Sequence, residues 1–181
     1  VASPEEEGWL AKAQSGDRQA FAELVRLHGP HLFGWLMRLS GDYQKAEDIL
    51  QETFFKGWRA LPQYQKGDLR AWLFRIAYRA WLDRRPKGSA VVSLAETPDV
   101  AGRDDPQRSA QENEIERSIH EEWKQLPELY RVALDLHVRE GLEYPELAAA
   151  LSVTESTARW RVFKARRLLL KRLGKFLDRK D

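Results

Sequence analysis

"EYPELAAALSVTESTARWRVFKARRLLLKRL", residues 143–173, reads as a short helix, a tight turn and a long helix. Tyr144 to Leu151 carries the short helix, Ser152 and Val153 turn the chain, and the long helix starts at about Glu155 with Thr154 placed to cap it. Leu147, Leu151, Val153, Ala158 and Val162 fill the wedge between the two helices, and the small Ala148 lets them approach. This is helix-turn-helix order. At about 100° per residue, Ala158, Val162, Ala165 and Leu169 face inward. Ser156, Trp160, Phe163, Lys164, Arg167 and Lys171 face outward, with Arg159 and Arg161 on the flanks. Residues 155–175 hold eight basic side chains and one acidic one. Such a helix suits a major groove, with its early residues at base edges and its cations at phosphates. The competing reading, a basic amphipathic helix lying on a protein or a membrane, does not explain the turn and the packed short helix ahead of it.

Upstream the pattern is helical too. In "GDRQAFAELVRLHGPHLFGWLMRLSGD", residues 16–42, Phe21, Leu24, Val25, Leu32, Leu36 and Leu39 recur at helical spacing. Asp17 is placed as N-cap, Gly41 as terminator, and Pro30 as a kink or a new first turn. A second helix is "YQKAEDILQETFFKGWRAL", residues 43–61, and a third is "DLRAWLFRIAYRAWLDRR", residues 68–85, capped by Asp68. On the second, Ala46, Ile49, Leu50, Thr53, Gly57 and Ala60 form the buried stripe, which leaves Asp48, Glu52, Phe55 and Arg59 on the opposite side. A face mixing charge with an exposed Phe is a solvated face or a surface for a partner helix. On the third, Leu69, Trp72, Leu73, Ile76 and Ala80 make a core face, while Phe74, Tyr78 and Trp81 form a second apolar stripe. That stripe needs either a neighbouring helix or unpaired bases to stack on, and Arg75, Arg79, Arg84 and Arg85 stand beside it. Asp83 falls on the buried side, where a carboxylate needs a basic partner.

Strand-like alternation is nearly absent, so the expected fold class is all-α. The chain has 181 residues, 43% of them hydrophobic, a length that accommodates one domain or two small ones. Its net charge of +2 conceals a pattern: +3 over residues 1–88, -6 over 89–122 and +5 over 123–181. An acidic strip between two basic stretches suggests two modules that face polyanions, joined by a segment that polyanions repel. The middle is rich in Pro, Gly, Ser and Asp, and a connection of that length is improbable inside one compact domain. Helical domains are expected at 5–87 and 112–178, with a flexible acidic linker at 88–111. Zero Cys excludes disulfides, thiol catalysis and Cys-ligated zinc, and the four His, at 28, 31, 120 and 137, have no metal-site spacing. No cofactor is expected. The opening "VASPEEEGWLAKAQ" places acids where a secretion signal needs a basic end, so a cytoplasmic location is expected.

The two halves together resemble the extracytoplasmic-function (ECF) sigma factors, initiation subunits of bacterial RNA polymerase. The resemblance rests on "GDRQAFAELV" at 16–25, "GDYQKAEDILQETFFKGWRAL" at 41–61, "RAWLFRIAYRAWLDRR" at 70–85, "LPELYRVALDLHVREGLEYPELAAALSV" at 126–153 and "STARWRVFKARRLL" at 156–169. It implies that Asp48, Gln51, Glu52, Phe55 and Arg59 dock on a coiled coil of the polymerase clamp. It also implies that the loop "QYQKGD", residues 63–68, captures an unpaired base of the -10 element through Tyr64, Gln65, Lys66 and Asp68. Arg75, Tyr78, Arg79, Arg84 and Arg85 would then hold the adjacent DNA. Ser156, Arg159, Trp160, Phe163 and Lys164 would read the duplex -35 element, with Arg161, Arg166 and Arg167 at phosphates or neighbouring acids. In such a family the linker threads through the polymerase, and an anti-sigma factor is a plausible further partner.

Two positions depart from the family pattern: Arg79, where Asn is common, and Trp160, where a small or polar residue is common. Both lie on faces assigned to DNA. The alternative class is a stand-alone helix-turn-helix regulator that binds duplex DNA without polymerase. Catalysis is disfavoured, because no Gly-rich phosphate loop, Ser/His/Asp arrangement or metal cluster is present in the sequence.

Overall fold

The computed structural model describes residues 3–65, 67–84 and 122–177, with side chains as far as Arg172. Lys66, Arg85 and the 88–111 linker lie outside the described residues. Every regular element among the described residues is helical. Helix α1 spans Pro4–Gln14, α2 Arg18–Ser40, α3 Tyr43–Ala60 and α4 Leu69–Asp83, with a short 3-10 turn at Leu61–Gln63. Downstream, α5 spans Glu128–Val138, α6 Tyr144–Leu151 and α7 Glu155–Leu177.

Capping residues decide where most of these helices begin. Ser3 accepts from the Glu6 N–H at 3.2 Å, Pro4 needs no N–H partner at the first position, and Glu5, Glu6 and Glu7 oppose the positive helix end. The sequence reading has no helix here, although Ser-Pro-Glu-Glu is a recognisable start signal. Asp17 accepts from Gln19 and Ala20 at 2.8 and 3.1 Å, Asp42 from Lys45 at 3.0 Å, and Asp68 from Ala71 at 2.6 Å. The Lys45 N–H bond chiefly holds the Asp42 carboxyl below its ordinary range. Gly41 ends α2 at φ 65°, in the left-handed region that Gly adopts most readily. Pro30 starts no new helix: α2 runs through it. Pro30 and Arg26 both lie on the exposed side, where losing one backbone hydrogen bond costs least.

The upstream core is built from Leu24, Leu32, Leu36, Ile49, Leu61 and Leu73, all almost wholly buried. Ala46, Ile49, Thr53 and Gly57 face inward on α3 as expected, with Leu50 and Ala60 half-buried. Thr53 donates its hydroxyl to the Ile49 carbonyl at 2.7 Å, so its burial leaves no unsatisfied group. His28 is buried against Glu6, Nε2 to Oε1 3.0 Å. Burial lowers its pKa against the opposing pull of that carboxylate.

Two expectations for α4 change. Phe74 is fully buried, edge-on to Trp35 at 5.4 Å, and the half-buried Tyr78 also meets Trp35, at 6.4 Å. The second stripe therefore packs on α2 in part, and Phe74 has no face left for a base. Asp83, the last residue of α4, is exposed, not buried.

In the downstream half, α6 and α7 form the expected helix-turn-helix. Glu143 and Glu146 make a capping box, the Glu143 N–H donating to Glu146 Oε2 at 2.8 Å. Ser152 turns the chain at φ 54°, and Thr154 accepts from the Thr157 N–H at 3.2 Å. Leu147, Leu151, Ala158 and Val162 are buried in the wedge, with Val153 half-buried.

Helix α4 packs on α6 and joins the two halves. Arg79 Nη2 donates to Ser152 Oγ at 3.3 Å, and Trp81 Nε1 to Glu128 Oε1 at 3.2 Å. A charged cluster adds to this. Arg38 donates to both Asp135 oxygens, at 3.1 to 3.3 Å, and to Glu140 Oε1. His31 Nδ1 stands 3.3 Å from Glu140 Oε2, within ion-pair reach but not aligned as a hydrogen bond. Burial opposes the charge on Arg38, but Asp135 and Glu140 more than offset it, so its pKa is raised. Burial pushes the Asp135 carboxyl up against the pull of Arg38, which marks the pair as a positional device rather than a source of large net stability.

Removing the cation is a different matter: Asp135 keeps the longer pair with Arg139 at 3.5 Å and Glu140 the one with His31, and breaking a buried ion pair costs up to about 3–5 kcal/mol. Arg38→Ala is therefore expected to separate the two halves while each keeps its helices. Small-angle scattering should show a larger radius of gyration with unchanged far-UV dichroism. An unchanged radius would show that the cluster does not hold the halves together.

Candidate functional site

Three exposed surfaces carry the residues singled out by the sequence. The first is the outer face of α3. Asp48, Gln51, Phe55 and Arg59 are exposed and Glu52 is half-exposed, with the Arg59 guanidinium 5.6 Å from the Phe55 ring centroid. Lys56 Nζ lies 2.6 Å from Glu52 Oε1, and Arg84 reaches back from the end of α4 to Glu52 at 2.8 Å and Asp48 at 3.9 Å. The Lys56 hydrogen bond, aided by Arg84, holds the Glu52 carboxyl below its ordinary range. Arg84, one of the residues expected at the -10 DNA, is thus also in contact with the α3 face.

The second surface is the loop entering α4. Tyr64 donates its hydroxyl to the Gly67 carbonyl at 2.6 Å, and its ring packs on Trp72 at 5.2 Å. Gly67 has φ 135°, which L side chains rarely adopt. Asp68 spends a carboxylate oxygen on the α4 cap, while Gln65 is exposed. Beside the loop lies a cavity of about 430 Å3 walled by Tyr64, Trp72 and Arg75 on one side and by Pro145, Glu146 and Ala149 of α6 on the other. Arg79 is exposed one turn beyond Arg75 and is turned toward Ser152. The loop, Arg75 and Arg79 are thus brought together, and α6 stands against the same face.

The third surface is the outer face of α7. Ser156, Arg159, Trp160, Phe163, Arg166 and Arg167 are exposed, with Arg161 and Lys164 half-buried. Arg159 forms an ion pair with Glu155 at 2.6 Å and lies 4.3 Å over the Tyr144 ring. Trp160 is 50% exposed, Phe163 is 56% exposed, and Arg167 lies 5.7 Å from the Phe163 ring. Trp160 meets Tyr130 of α5 edge-on at 5.6 Å. Two large rings half out in solvent and ringed by cations make an apolar patch inside a basic surface. Such a surface can touch thymine methyls and sugars while neighbouring guanidiniums bind phosphates.

Sequence reasoning missed Gln14 and Arg38. Neither lies in a recognisable motif, and both act on residues about 50 or about 100 positions away, which local periodicity does not reveal. Among the described residues no group of three or more His, Asp or Glu side chains is arranged to hold a metal. No described helix is long and apolar enough to cross a membrane.

Comparison with known proteins bears directly on these surfaces. The family pattern Sigma-70 region 2 matches residues 24–90, and Sigma-70, region 4 matches residues 116–169. The RNA polymerase sigma-H factor of Pseudomonas aeruginosa is 36% identical over 93% of each chain. The ECF RNA polymerase sigma factor SigE of Mycolicibacterium smegmatis is 33% identical over 96% of this chain and 70% of its own. Among solved structures, CnrH in complex with the cytosolic domain of CnrY is similar at a TM-score of 0.68 and 26% identity, covering 98% of this chain and 99% of that one. The sigma factor RpoE of Bartonella quintana, in complex with the anti-sigma factor NepR, is similar at 0.63 and 26%, covering 85% and 96%. The chain belongs to the sigma-70 family of RNA polymerase sigma factors. The match to regions 2 and 4, with 33% identity to an ECF sigma factor over 96% of this chain, places it among the ECF sigma factors.

Proposed function

We propose that the chain binds core RNA polymerase through α3, reads a duplex -35 element with α7 and captures an unpaired base of the -10 element with the loop before α4. The observation that carries this is the exposed basic and aromatic face of α7 behind a well-formed helix-turn-helix, in a chain that also presents the charged α3 face. In this reading Asp48, Gln51, Glu52, Phe55 and Arg59 dock on polymerase, and Tyr64, Gln65, Lys66 and Asp68 meet the extruded base. Arg75, Tyr78, Arg79, Arg84 and Arg85 support the single strand. Ser156, Arg159, Trp160, Phe163 and Lys164 read the duplex, while Arg161 and Arg167 bind its backbone. Extruding a base costs a few kcal/mol of stacking, which the loop contacts must offset. Tethering the two readers raises their effective concentration on one promoter and makes spacer length part of the specificity. The domain limits 5–87 and 112–178, a linker at 88–111 and a cytoplasmic location complete the reading. The chain itself performs no chemical step. An anti-sigma factor is a further proposed partner, supported by the complex of the structural relative RpoE with the anti-sigma factor NepR.

Gel filtration with core RNA polymerase, followed by run-off transcription on genomic fragments, tests the reading. Co-elution with new start sites is expected; duplex binding without co-elution would favour a stand-alone regulator. Arg159→Ala is expected to weaken binding at the -35 element by about 1–3 kcal/mol, the usual worth of an Arg base contact. Equal transcription from intact and scrambled -35 sequences would remove α7 as the sequence reader.

A further inference from the structure

Helix α1 lies ahead of the segment matched as region 2, yet it touches the loop assigned to the -10 base. One half-buried amide carries the hydrogen bonds of that contact. Gln14 Nε2 donates to the Tyr64 carbonyl at 2.7 Å and to the Leu61 carbonyl at 3.3 Å. Both partners are carbonyl oxygens, so the amide nitrogen must face them and both of its N–H groups are engaged. Those carbonyls bracket the 3-10 turn at Leu61–Gln63 that delivers the chain into the loop.

Beyond that anchor the loop is held twice more. The Tyr64 hydroxyl closes on Gly67, and burial raises its pKa. Asp68 ties the exit to α4. Of these restraints the entry anchor comes from outside the loop and its own helix, so it sets where the entry residues Tyr64 and Gln65 sit beside Trp72 and Arg75. A recognition loop held in one geometry avoids an ordering cost when it binds.

We infer that Gln14 is a positioning residue for single-strand recognition: its amide pins the entry of the 64–68 loop and thereby sets base preference without touching DNA. The inference rests on the proposed base-capturing role of that loop. It extends the recognition apparatus to a helix outside the matched family segment.

Gln14→Leu removes both donors at similar volume, and Gln14→Met does so at similar length. Each full-length variant would be reconstituted with core RNA polymerase and offered two DNA pools, one forked with a randomised unpaired segment and one duplex with a randomised upstream element. Wild type is expected to enrich one base at one unpaired position. In both variants that enrichment should fall about tenfold, equivalent to about 1.4 kcal/mol, while core affinity and the duplex preference stay unchanged. Unchanged single-strand enrichment in the variants, with loss in Gln65→Ala, would overturn the role of Gln14 and leave base capture standing. No single-strand preference in wild type would overturn base capture and Gln14 together. Equal loss of both preferences would make Gln14 a general stability residue and overturn the inference as well.

Discussion

Glu52→Lys is expected to weaken binding to core RNA polymerase by about 100-fold while leaving the fold intact. In the folded chain Glu52 joins Lys56 at 2.6 Å and Arg84 at 2.8 Å, so the substitution places three cations side by side on the proposed docking face. Removing one partner of an interfacial charge pair costs about 2–5 kcal/mol, and about 1.4 kcal/mol is tenfold in affinity. Surface ion pairs of this kind contribute only about 0–1 kcal/mol to folding, so melting temperature should move little. Competition against the wild-type chain for core enzyme, with dichroism as the control, reads both quantities. Equal affinity would remove α3 as the docking helix.

Phe74→Ala is expected to cost about 3–5 kcal/mol of stability, the range for emptying a fully buried aromatic site. Phe74 is 0% exposed and edge-on to Trp35, at the junction where α2 meets α4. In a helical unit of this size about 1 kcal/mol corresponds to about 4–8 °C in melting temperature, so thermal unfolding should fall by more than about 10 °C. A nearly unchanged melting temperature would mean that the ring is not part of the core and would reopen the stacking role for the second stripe of α4.

That stripe shows where sequence reading reaches its limit. Helix period placed Leu69, Leu73 and Ala80 inward on α4, but it also put Trp72 and Ile76 on that core face, where they are half-buried, and Phe74 on the other, where it is fully buried. It could not say which neighbour covers that second face, because that depends on how α2 crosses it. Trp35 supplies the answer, and Trp35 carries no signal beyond being apolar. Asp83 failed for a related reason: projection places a residue on a face, but it does not say whether a neighbour covers that face at the last turn of the helix. The helix-turn-helix was legible in full because its information is local. The capping residue, the tight turn and the small Ala148 all lie within a few positions of the contacts they create. The same locality made the α3 stripe readable, with Ala46, Ile49, Thr53 and Gly57 buried as the spacing demands. Gln14 and Arg38 stayed hidden because their partners, Tyr64 and Asp135, are separated from them by whole helices.

Ser152 is the one non-Gly residue among those described with a positive φ, at 54°, and its hydroxyl also receives Arg79 from the upstream half. A left-handed L-residue costs about 1–2 kcal/mol. Gly at this position would relieve that strain but erase the acceptor, and Asn would tolerate the backbone while presenting a longer amide to Arg79. One codon therefore sets both the backbone of the interhelical turn and its tie to the other half, so any change at Ser152 acts on the two together.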